Sequence, residues 1–143
     1  MRNERGITLI ALVVTIVVLL ILAGVTITYA LGSNGLFTNA QKAELNSELG
    51  NIRDYAGMAK LDVATTYYSN KAALDAADGV KTVIANNFPG YNASDITVGS
   101  DVTHNNGTLV GKVTVKLKSS NPENKTTAEI VYAEDGKITV TAK

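Results

Sequence analysis

The hydrophobic positions of the chain are concentrated near its N-terminus, and their spacing changes further along. Residues 7–31 have the sequence ITLIALVVTIVVLLILAGVTITYAL, a run of 25 residues without a charged side chain. About 20 apolar residues cross the hydrocarbon core of a bilayer, where the segment must be helical because an unpaired backbone is costly in lipid. The four threonines of the run are compatible with lipid, since their hydroxyls can bond to a carbonyl one turn earlier. The pattern therefore predicts a transmembrane helix over residues 7–31.

Glycines soften or interrupt this helical pattern at three positions. Gly32 and Gly35 enclose Ser33 and Asn34, and a segment of this composition adopts turn conformations at little cost. Gly24 is a weaker candidate for a flexible position, inside the apolar run. We predict a hinge at these three glycines, and a simple boundary between two helices explains the pattern equally well.

A second helix, over residues 38–66, is predicted after this break, with Thr38 or Asn39 as its N-cap. Apolar residues recur there at steps of three and four, which is the spacing of one helical face. Packing of this face on a sheet is favoured over a coiled-coil seam, because the repeat is short and lacks strong flanking charge pairs. A shorter helix or a broken pair follows over residues 70–88, divided at Asp78-Gly79. The apolar face consists of Leu45, Leu49, Ile52, Ala56, Ala59 and Val63.

In the C-terminal part of the chain the hydrophobic spacing changes to two, which is typical of strands with one buried face. Asp135-Gly136 separates two such segments and indicates a tight hairpin. A sheet this small needs a helix against it for stability. The predicted fold class is therefore α+β: a long hydrophobic N-terminal helix continues into an amphipathic helix packed on a small C-terminal antiparallel β-meander. The strands are predicted at about residues 95–98, 108–118, 126–133 and 137–142.

The composition argues against catalysis and against metal binding. The 143-residue chain has no cysteine, which excludes disulfides, thiol catalysis and cysteine-ligated zinc. Its single histidine, His104, lacks a second histidine or a paired carboxylate at ligand spacing, so we expect it to be a solvated loop residue. The calcium-loop pattern is absent, and no set of nucleophile, base and acid can be assembled. The sequence thus predicts no enzyme activity, no catalytic residue, no metal and no cofactor.

The charge distribution offers one candidate for nucleic-acid binding. The chain has 13 Lys and Arg residues and 13 Asp and Glu residues, a balance that argues against binding through bulk charge. Lysines gather on one predicted strand and the nearby hairpin, but no aromatic side chains accompany them for stacking on bases. A polar, aggregation-resistant sheet surface is therefore favoured over a nucleic-acid partner. These lysines are Lys112, Lys116, Lys118, Lys137 and Lys143.

The N-terminal segment MRNERG places Arg2 and Arg5 ahead of the apolar run. Positive charge before the run, with none close behind it, orients the N-terminus to the cytoplasm and the remainder to the outside. A secretory signal peptide is one interpretation, although its apolar core is usually only about 7–15 residues. A permanent signal anchor is a second. The third rests on the junction Arg5-Gly6-Ile7-Thr8-Leu9-Ile10, where the charged residues end at a glycine and the apolar helix starts at once.

This junction resembles the class III leader of type IV pilins and related pseudopilins. The resemblance implies cleavage by a prepilin peptidase between Gly6 and Ile7, and methylation of the new N-terminal Ile7. It implies a leader over residues 1–6, a transmembrane and assembly helix over residues 7–31, and an extracellular head over residues 32–143. The assembly helix begins with Ile7, Thr8, Leu9, Ile10, Ala11 and Leu12.

The same resemblance implies a structural subunit that polymerises through its N-terminal helix into a helical homopolymer, a type IV pilus-like filament. The implied partners are further copies of the chain, the membrane, the prepilin peptidase and a pilus assembly machinery with an ATPase. The precursor is expected in the inner or cytoplasmic membrane as a single-pass protein, and the product in an extracellular filament. Two alternatives stay open: a pseudopilin of a type II secretion or DNA-uptake machine, and a single-span anchored binding module that does not polymerise.

One position departs from the family pattern. The family usually carries glutamate at the fifth residue after the cleavage site, and this chain has Ala11 there. That glutamate is thought to pair with the amino terminus of a neighbouring subunit. Because an unpaired charge is expensive to bury, the amine of Ile7 would need another partner, such as a carbonyl or the Thr8 hydroxyl.

Overall fold

The computed structural model describes residues 2–32 and 34–143, with the backbone alone for residues 2 and 3. The chain divides into two compact units, Met1–Lys42 and Ala43–Lys143. The first unit contains the apolar helix and the beginning of the second helix. The second unit contains the remainder of that helix and the sheet.

Helix α1 comprises Arg2–Leu31 and passes through Gly24 without interruption. It ends where the predicted turn begins, and the Gly35 amide donates a hydrogen bond to the Gly32 carbonyl at 2.8 Å. An added Cβ at Gly32 would lie 2.7 Å from the Thr28 carbonyl oxygen, and one at Gly35 would lie 2.6 Å from that of Ala30. Both glycines are therefore required by close backbone packing at this turn.

Helix α2 comprises Leu36–Asp75 and begins earlier than the sequence predicts. The Asn39 amide donates to the Gly35 carbonyl at 3.0 Å, so the first helical hydrogen bond already starts at Gly35. Thr38 lies inside the first turn, where its hydroxyl donates to the Gly32 carbonyl at 2.9 Å. The prediction of Thr38 or Asn39 as the N-cap is thus wrong, because the glycine turn itself supplies the helix start.

The predicted apolar face of α2 is the face that the fold buries. Leu45, Ile52, Ala56, Ala59 and Val63 are buried, and Leu49 packs partly buried against them. Full burial of one Ile or Val side chain contributes about 1.5–3 kcal/mol. This contribution offsets the cost of Gly50 and Gly57 in the same helix, since a glycine weakens a helix by about 1 kcal/mol relative to alanine.

The region 70–88 contains the end of α2 and one separate short helix, divided near Asp78-Gly79 as the sequence predicts. Asn70 has non-helical angles (φ −152°, ψ 70°) and kinks α2, so that residues 71–75 form a last, redirected turn. A separate helix, α3, comprises Gly79–Asn86. The kink lets Leu74 reach the core, where it is 2% exposed.

The strands are β1 Ile96–Val98, β2 Thr103–Asn105, β3 Thr108–Lys116, β4 Thr127–Tyr132 and β5 Ile138–Ala142. They form a sheet that is antiparallel throughout, with strand order β1-β3-β4-β5 and with β2 paired to the other end of β3. A turn comprising Ala93–Asp95 precedes it. The Asp135-Gly136 hairpin joins the last two strands as predicted, with Gly136 at φ 85°.

Strand β2 is absent from the sequence prediction, because Thr103, His104 and Asn105 show no hydrophobic alternation. It forms where Gly111 lets the chain approach β3 closely. Gly111 has φ 123°, and a Cβ there would lie 2.6 Å from the Cα of Val102. The α+β class itself, a long N-terminal helix followed by a small antiparallel sheet, is confirmed.

Candidate functional site: the apolar helix and the polar contacts of the head

A carboxylate on α2 holds together two loops of the head. Glu48 accepts hydrogen bonds from the Tyr91 hydroxyl (2.8 Å), the Lys118 amide (2.7 Å) and the Ser119 amide (2.9 Å). Partial burial by itself would raise the pKa of the Glu48 carboxyl, but these hydrogen bonds outweigh it and lower the pKa. Burial and the neighbouring Glu48 carboxylate raise the pKa of the Tyr91 phenol. The arrangement fixes structure and presents no nucleophile.

His104 is not the solvated loop residue that the sequence predicts. It lies on β2 with its side chain only 11% exposed, and its Nε2 is 3.1 Å from Oδ1 of Asp75. Its ring lies beside that of Tyr67, with centroids 5.6 Å apart. Its Nδ1 is buried without a hydrogen-bond partner among the described residues. The prediction failed because the kink at Asn70 brings Asp75 to β2, and no local pattern indicates that contact.

The five lysines singled out by the sequence are not gathered into one free patch. Lys112 and Lys116 are exposed on the outer face of β3. Lys118 folds over the Tyr91 ring, with Nζ 4.4 Å from the ring centroid, and donates to the Gly90 carbonyl. Lys143 pairs with Glu129 at 2.9 Å. The internal contacts of Lys118 and Lys143 therefore engage positive charge that would otherwise be available to bind a polyanion such as a nucleic acid.

Asn121 closes the loop after β3 in a chain that has no cysteine. Its amide nitrogen donates to the Lys125 carbonyl at 2.8 Å, and its amide oxygen accepts from the Lys125 amide at 2.9 Å. Asn121 is 8% exposed, so both bonds are protected from water. Among the described residues, no group of three or more histidines and carboxylates is placed to hold a metal ion.

The strongest candidate site lies in α1. Its large apolar side chains from Ile7 to Leu31 are 47–68% exposed on every side of the helix. An apolar surface of this extent requires a lipid or protein environment, because soluble proteins rarely expose it to water. The helix is long and apolar enough to cross a membrane, by length and composition.

The four threonine side chains of α1 are hydrogen-bonded within the helix. As expected from the sequence, the four threonine hydroxyls donate to carbonyls of the preceding turn at 2.6–2.9 Å. In lipid this removes the cost of burying a free hydroxyl. The pairs are Thr8 to Glu4, Thr15 to Leu12, Thr26 to Leu22 and Thr28 to Gly24.

Gly6 has no packing role in the fold. It lies inside α1, and an added Cβ would meet nothing within 4 Å. A glycine costs a helix about 1 kcal/mol relative to alanine. The fold alone therefore gives no reason for glycine between the charged segment and Ile7.

Residues 1–27 match the family model of the prokaryotic N-terminal methylation motif. This motif is the class III signal peptide of type IV pilins. Searches of curated proteins and of solved structures gave no match to the chain. The resemblance drawn from the Gly6-Ile7 junction is thus confirmed for the N-terminal segment, and a motif of this kind implies processing by a prepilin peptidase.

Within the motif, the predicted site residues occupy one continuous helix. Gly6, Ile7 and the assembly residues up to Leu12 lie on α1, and all are exposed. Because residue 11 is alanine, the apolar helix has no charged side chain after Arg5. Cleavage at Gly6-Ile7, methylation of Ile7 and a hinge at Gly24, Gly32 and Gly35 stay predictions.

Proposed function

We propose that the chain is the structural subunit of a type IV pilus-like filament, cleaved after Gly6 and polymerised through α1. The methylation motif at residues 1–27 carries this proposal. The exposed apolar surface of α1 supports it, because such a surface needs two environments in succession, lipid before assembly and neighbouring subunits afterwards.

Removal of the leader is the step that permits assembly in this scheme. It takes away Arg2, Glu4 and Arg5, the charges next to the apolar helix. It also removes the Glu4 carbonyl, which accepts the hydrogen bond of the Thr8 hydroxyl at 2.9 Å. The freed hydroxyl then lies next to the new amine of Ile7 and offers that amine a partner where the family usually has a glutamate.

Polymerisation then moves α1 from lipid into a bundle of helices with the heads outward. The transfer gains little hydrophobic energy, because lipid is already apolar. An assembly machinery with an ATPase must therefore supply the work of extraction. Contacts between unlike faces that do not close into a ring generate an open helical filament. The role is structural and not catalytic.

A pseudopilin of a type II secretion or DNA-uptake machine is the second candidate function. The same N-terminal motif supports it, and Ala11 favours a specialised subunit over a standard bulk subunit. A pseudopilin would remain with the cell envelope, whereas a pilin would appear in filaments sheared from the cell surface. An anchored module that does not polymerise would remain monomeric in the membrane fraction.

The experiment compares Gly6→Val with Gly24→Ala in cells that process the wild-type chain. Gly24 is the matched control, because a Cβ there also meets nothing within 4 Å and α1 is helical at both positions. We expect G6V to accumulate as the full-length precursor and to disappear from the sheared fraction, while G24A is cleaved like the wild-type chain. Normal processing of G6V, or no sheared filaments from the wild-type chain, would contradict the proposal.

A further inference from the structure

Asparagine is followed directly by glycine at two places in the chain, Asn34-Gly35 and Asn106-Gly107. Such a pair can react with itself, because the glycine nitrogen lies close to the asparagine side chain and can close a five-membered ring on it. Glycine has no Cβ to hinder this approach. The reaction depends on how firmly the fold holds that nitrogen, and the two pairs differ in this respect.

The Gly35 nitrogen is held in the turn between α1 and α2. Its N–H donates to the Gly32 carbonyl at 2.8 Å, and the Gly35 carbonyl accepts from the Asn39 amide at 3.0 Å. Backbone surrounds this glycine closely, since an added Cβ would lie 2.6 Å from the Ala30 carbonyl oxygen. Ring closure at Asn34 would therefore break a hydrogen bond of the reacting nitrogen and move a closely packed backbone.

The Gly107 nitrogen has no such bond. Asn106 and Gly107 are the two central residues of the turn between β2 and β3, which the pair Asn105 and Thr108 closes. Both have positive φ, 49° and 83°, as a type I′ turn requires, and the hydrogen bond of such a turn joins its first and last residues. Accordingly, the described residues offer the Gly107 amide no hydrogen-bond acceptor.

Asn106 itself is loosely restrained. It is exposed, and its Oδ1 accepts a hydrogen bond from the Tyr67 hydroxyl at 3.3 Å, which is long for a hydroxyl donor. Strand β2 has three residues, of which Thr103 and Asn105 are exposed, so this hairpin end belongs to the part of the head that opens most easily. Brief opening lets the Asn106 backbone rotate out of the turn and bring the Gly107 nitrogen to its side chain.

We propose that Asn106 is a site of spontaneous modification, at which the folded chain converts its own asparagine to aspartate and isoaspartate through the Gly107 nitrogen. The fold selects Asn106 over Asn34, because the reacting nitrogen is hydrogen-bonded at Gly35 and has no acceptor among the described residues at Gly107. The inference is independent of the proposed filament, since the reaction involves only one chain and water.

The reaction consumes one water and releases one ammonia, with no change of oxidation state. Hydroxide takes the proton of the Gly107 N–H, and the nitrogen forms a bond to Cγ of Asn106. The C–N bond of the side-chain amide breaks, and its nitrogen takes a proton from water and leaves as ammonia. Water then opens the five-membered succinimide. Opening at the main-chain carbonyl gives isoaspartate, and opening at the side-chain carbonyl gives aspartate.

Both products change the hairpin. Each adds a carboxylate to a chain with 13 basic and 13 acidic residues, so the modified molecule is more acidic than the original one. Isoaspartate also inserts an extra backbone carbon into the two-residue turn that sets the register of β2 on β3. We therefore expect the isoaspartate form to hold β2, and His104 with it, less firmly.

Peptide mapping of the full chain in detergent tests the proposal. The purified protein is incubated in mildly alkaline buffer, digested and mapped by mass spectrometry, and isoaspartate is identified with an isoaspartyl methyltransferase and a labelled methyl donor. We expect conversion at Asn106 to be about five- to tenfold faster than at Asn34, the difference that one ordinary hydrogen bond produces. Equal rates at the two sites of the folded chain, or no conversion at Asn106 before unfolding, would overturn the proposal.

A comparison in urea separates the effect of the fold from that of the local sequence. In the unfolded chain the Gly35 hydrogen bond is lost, so we expect Asn34 and Asn106 to convert at similar rates. A preference for Asn106 that persists in urea would overturn the selection by the fold.

Two matched variants give a second readout in the folded chain. Asn106→Gln should remove most of the acidic species that isoelectric focusing resolves, because glutamine would have to close a less favourable six-membered ring. Asn34→Gln should retain that species. An acidic species that survives unchanged in N106Q, or that disappears in N34Q, would contradict the assignment to Asn106.

Discussion

The Tyr132 hydroxyl donates a hydrogen bond to the main-chain oxygen of Ala56, 3.1 Å away, and so joins β4 to the middle of α2. Tyr132 is 2% exposed, and burial raises the pKa of its phenol above the usual value. A buried hydroxyl needs a partner, and the helix carbonyl supplies it. In a head without disulfides, this bond fixes the sheet against the helix.

Removing that hydroxyl should destabilise the head measurably. Tyr132→Phe keeps the ring in the core and loses one buried hydrogen bond, which costs about 1 kcal/mol. Tyr68→Phe is the control, because Tyr68 is 83% exposed and should change little. Urea unfolding of the detergent-solubilised full chain measures both. Equal stability of the two variants would contradict the role given to Tyr132.

The stabilisation that Glu48 gives to the head should be lost in acid. Its hydrogen bonds lower the pKa of the folded carboxyl below the unfolded value of about 4.3. The stabilisation is therefore fully present above that value and is lost as the pH falls through the folded pKa. Glu48→Gln should lose about 1 kcal/mol at pH 7 and flatten the loss of stability in acid.

Glu44→Gln is the control for Glu48, because Glu44 is exposed on the same helix. Thermal unfolding between pH 3 and pH 7 compares the three proteins, with the range set by ordinary carboxyl pKa values of about 4. An unchanged pH profile in E48Q would show that Glu48 does not hold the loops together.

The His104–Asp75 contact should protect the last turn of α2 more than the whole head. Asp75 is half exposed, so the pair contributes well under about 1 kcal/mol to global stability. We expect Asp75→Ala to speed amide hydrogen exchange in residues 71–75 and to leave the centre of α2 protected. Asp78→Ala is the control, because Asp78 makes no side-chain capping bond. Equal exchange in both variants would contradict the prediction.

Alanine substitutions at two glycines should change the free energy of unfolding in opposite directions. Gly111→Ala forces a Cβ against Val102 at φ 123° and should cost about 1–3 kcal/mol. Gly50→Ala lies in α2, where a Cβ meets nothing within 4 Å, and should stabilise by up to about 1 kcal/mol. Chemical denaturation measures both signs. A neutral G111A variant would mean that β2 is not held as described.

The elements with regular hydrophobic spacing were predictable from the sequence. The threonine-bearing apolar helix, the buried face of α2 around Ile52 and Ala56, and the hairpin at Gly136 each follow from a local pattern. The junction at Gly6, where the charged residues end, likewise indicates the methylation motif that residues 1–27 match.

The contacts that escaped prediction depend on distant residues. Strand β2 follows from the positive φ of Gly111, and the burial of His104 follows from a kink 34 residues earlier at Asn70. The bond between Glu48 and Lys118 joins residues 70 positions apart. Periodicity reports which face is buried, but it does not report which polar groups meet once the faces have packed.

The most direct test of the central claim is the N-terminal residue of the chain in filaments sheared from the cell surface, determined by mass spectrometry of intact protein and by N-terminal sequencing. We predict a polymer whose subunits begin at methylated Ile7 and retain the whole of α1. Subunits that begin at Met1 or at Leu31, or a chain that starts at Ile7 yet is recovered only as a monomer, would contradict the account.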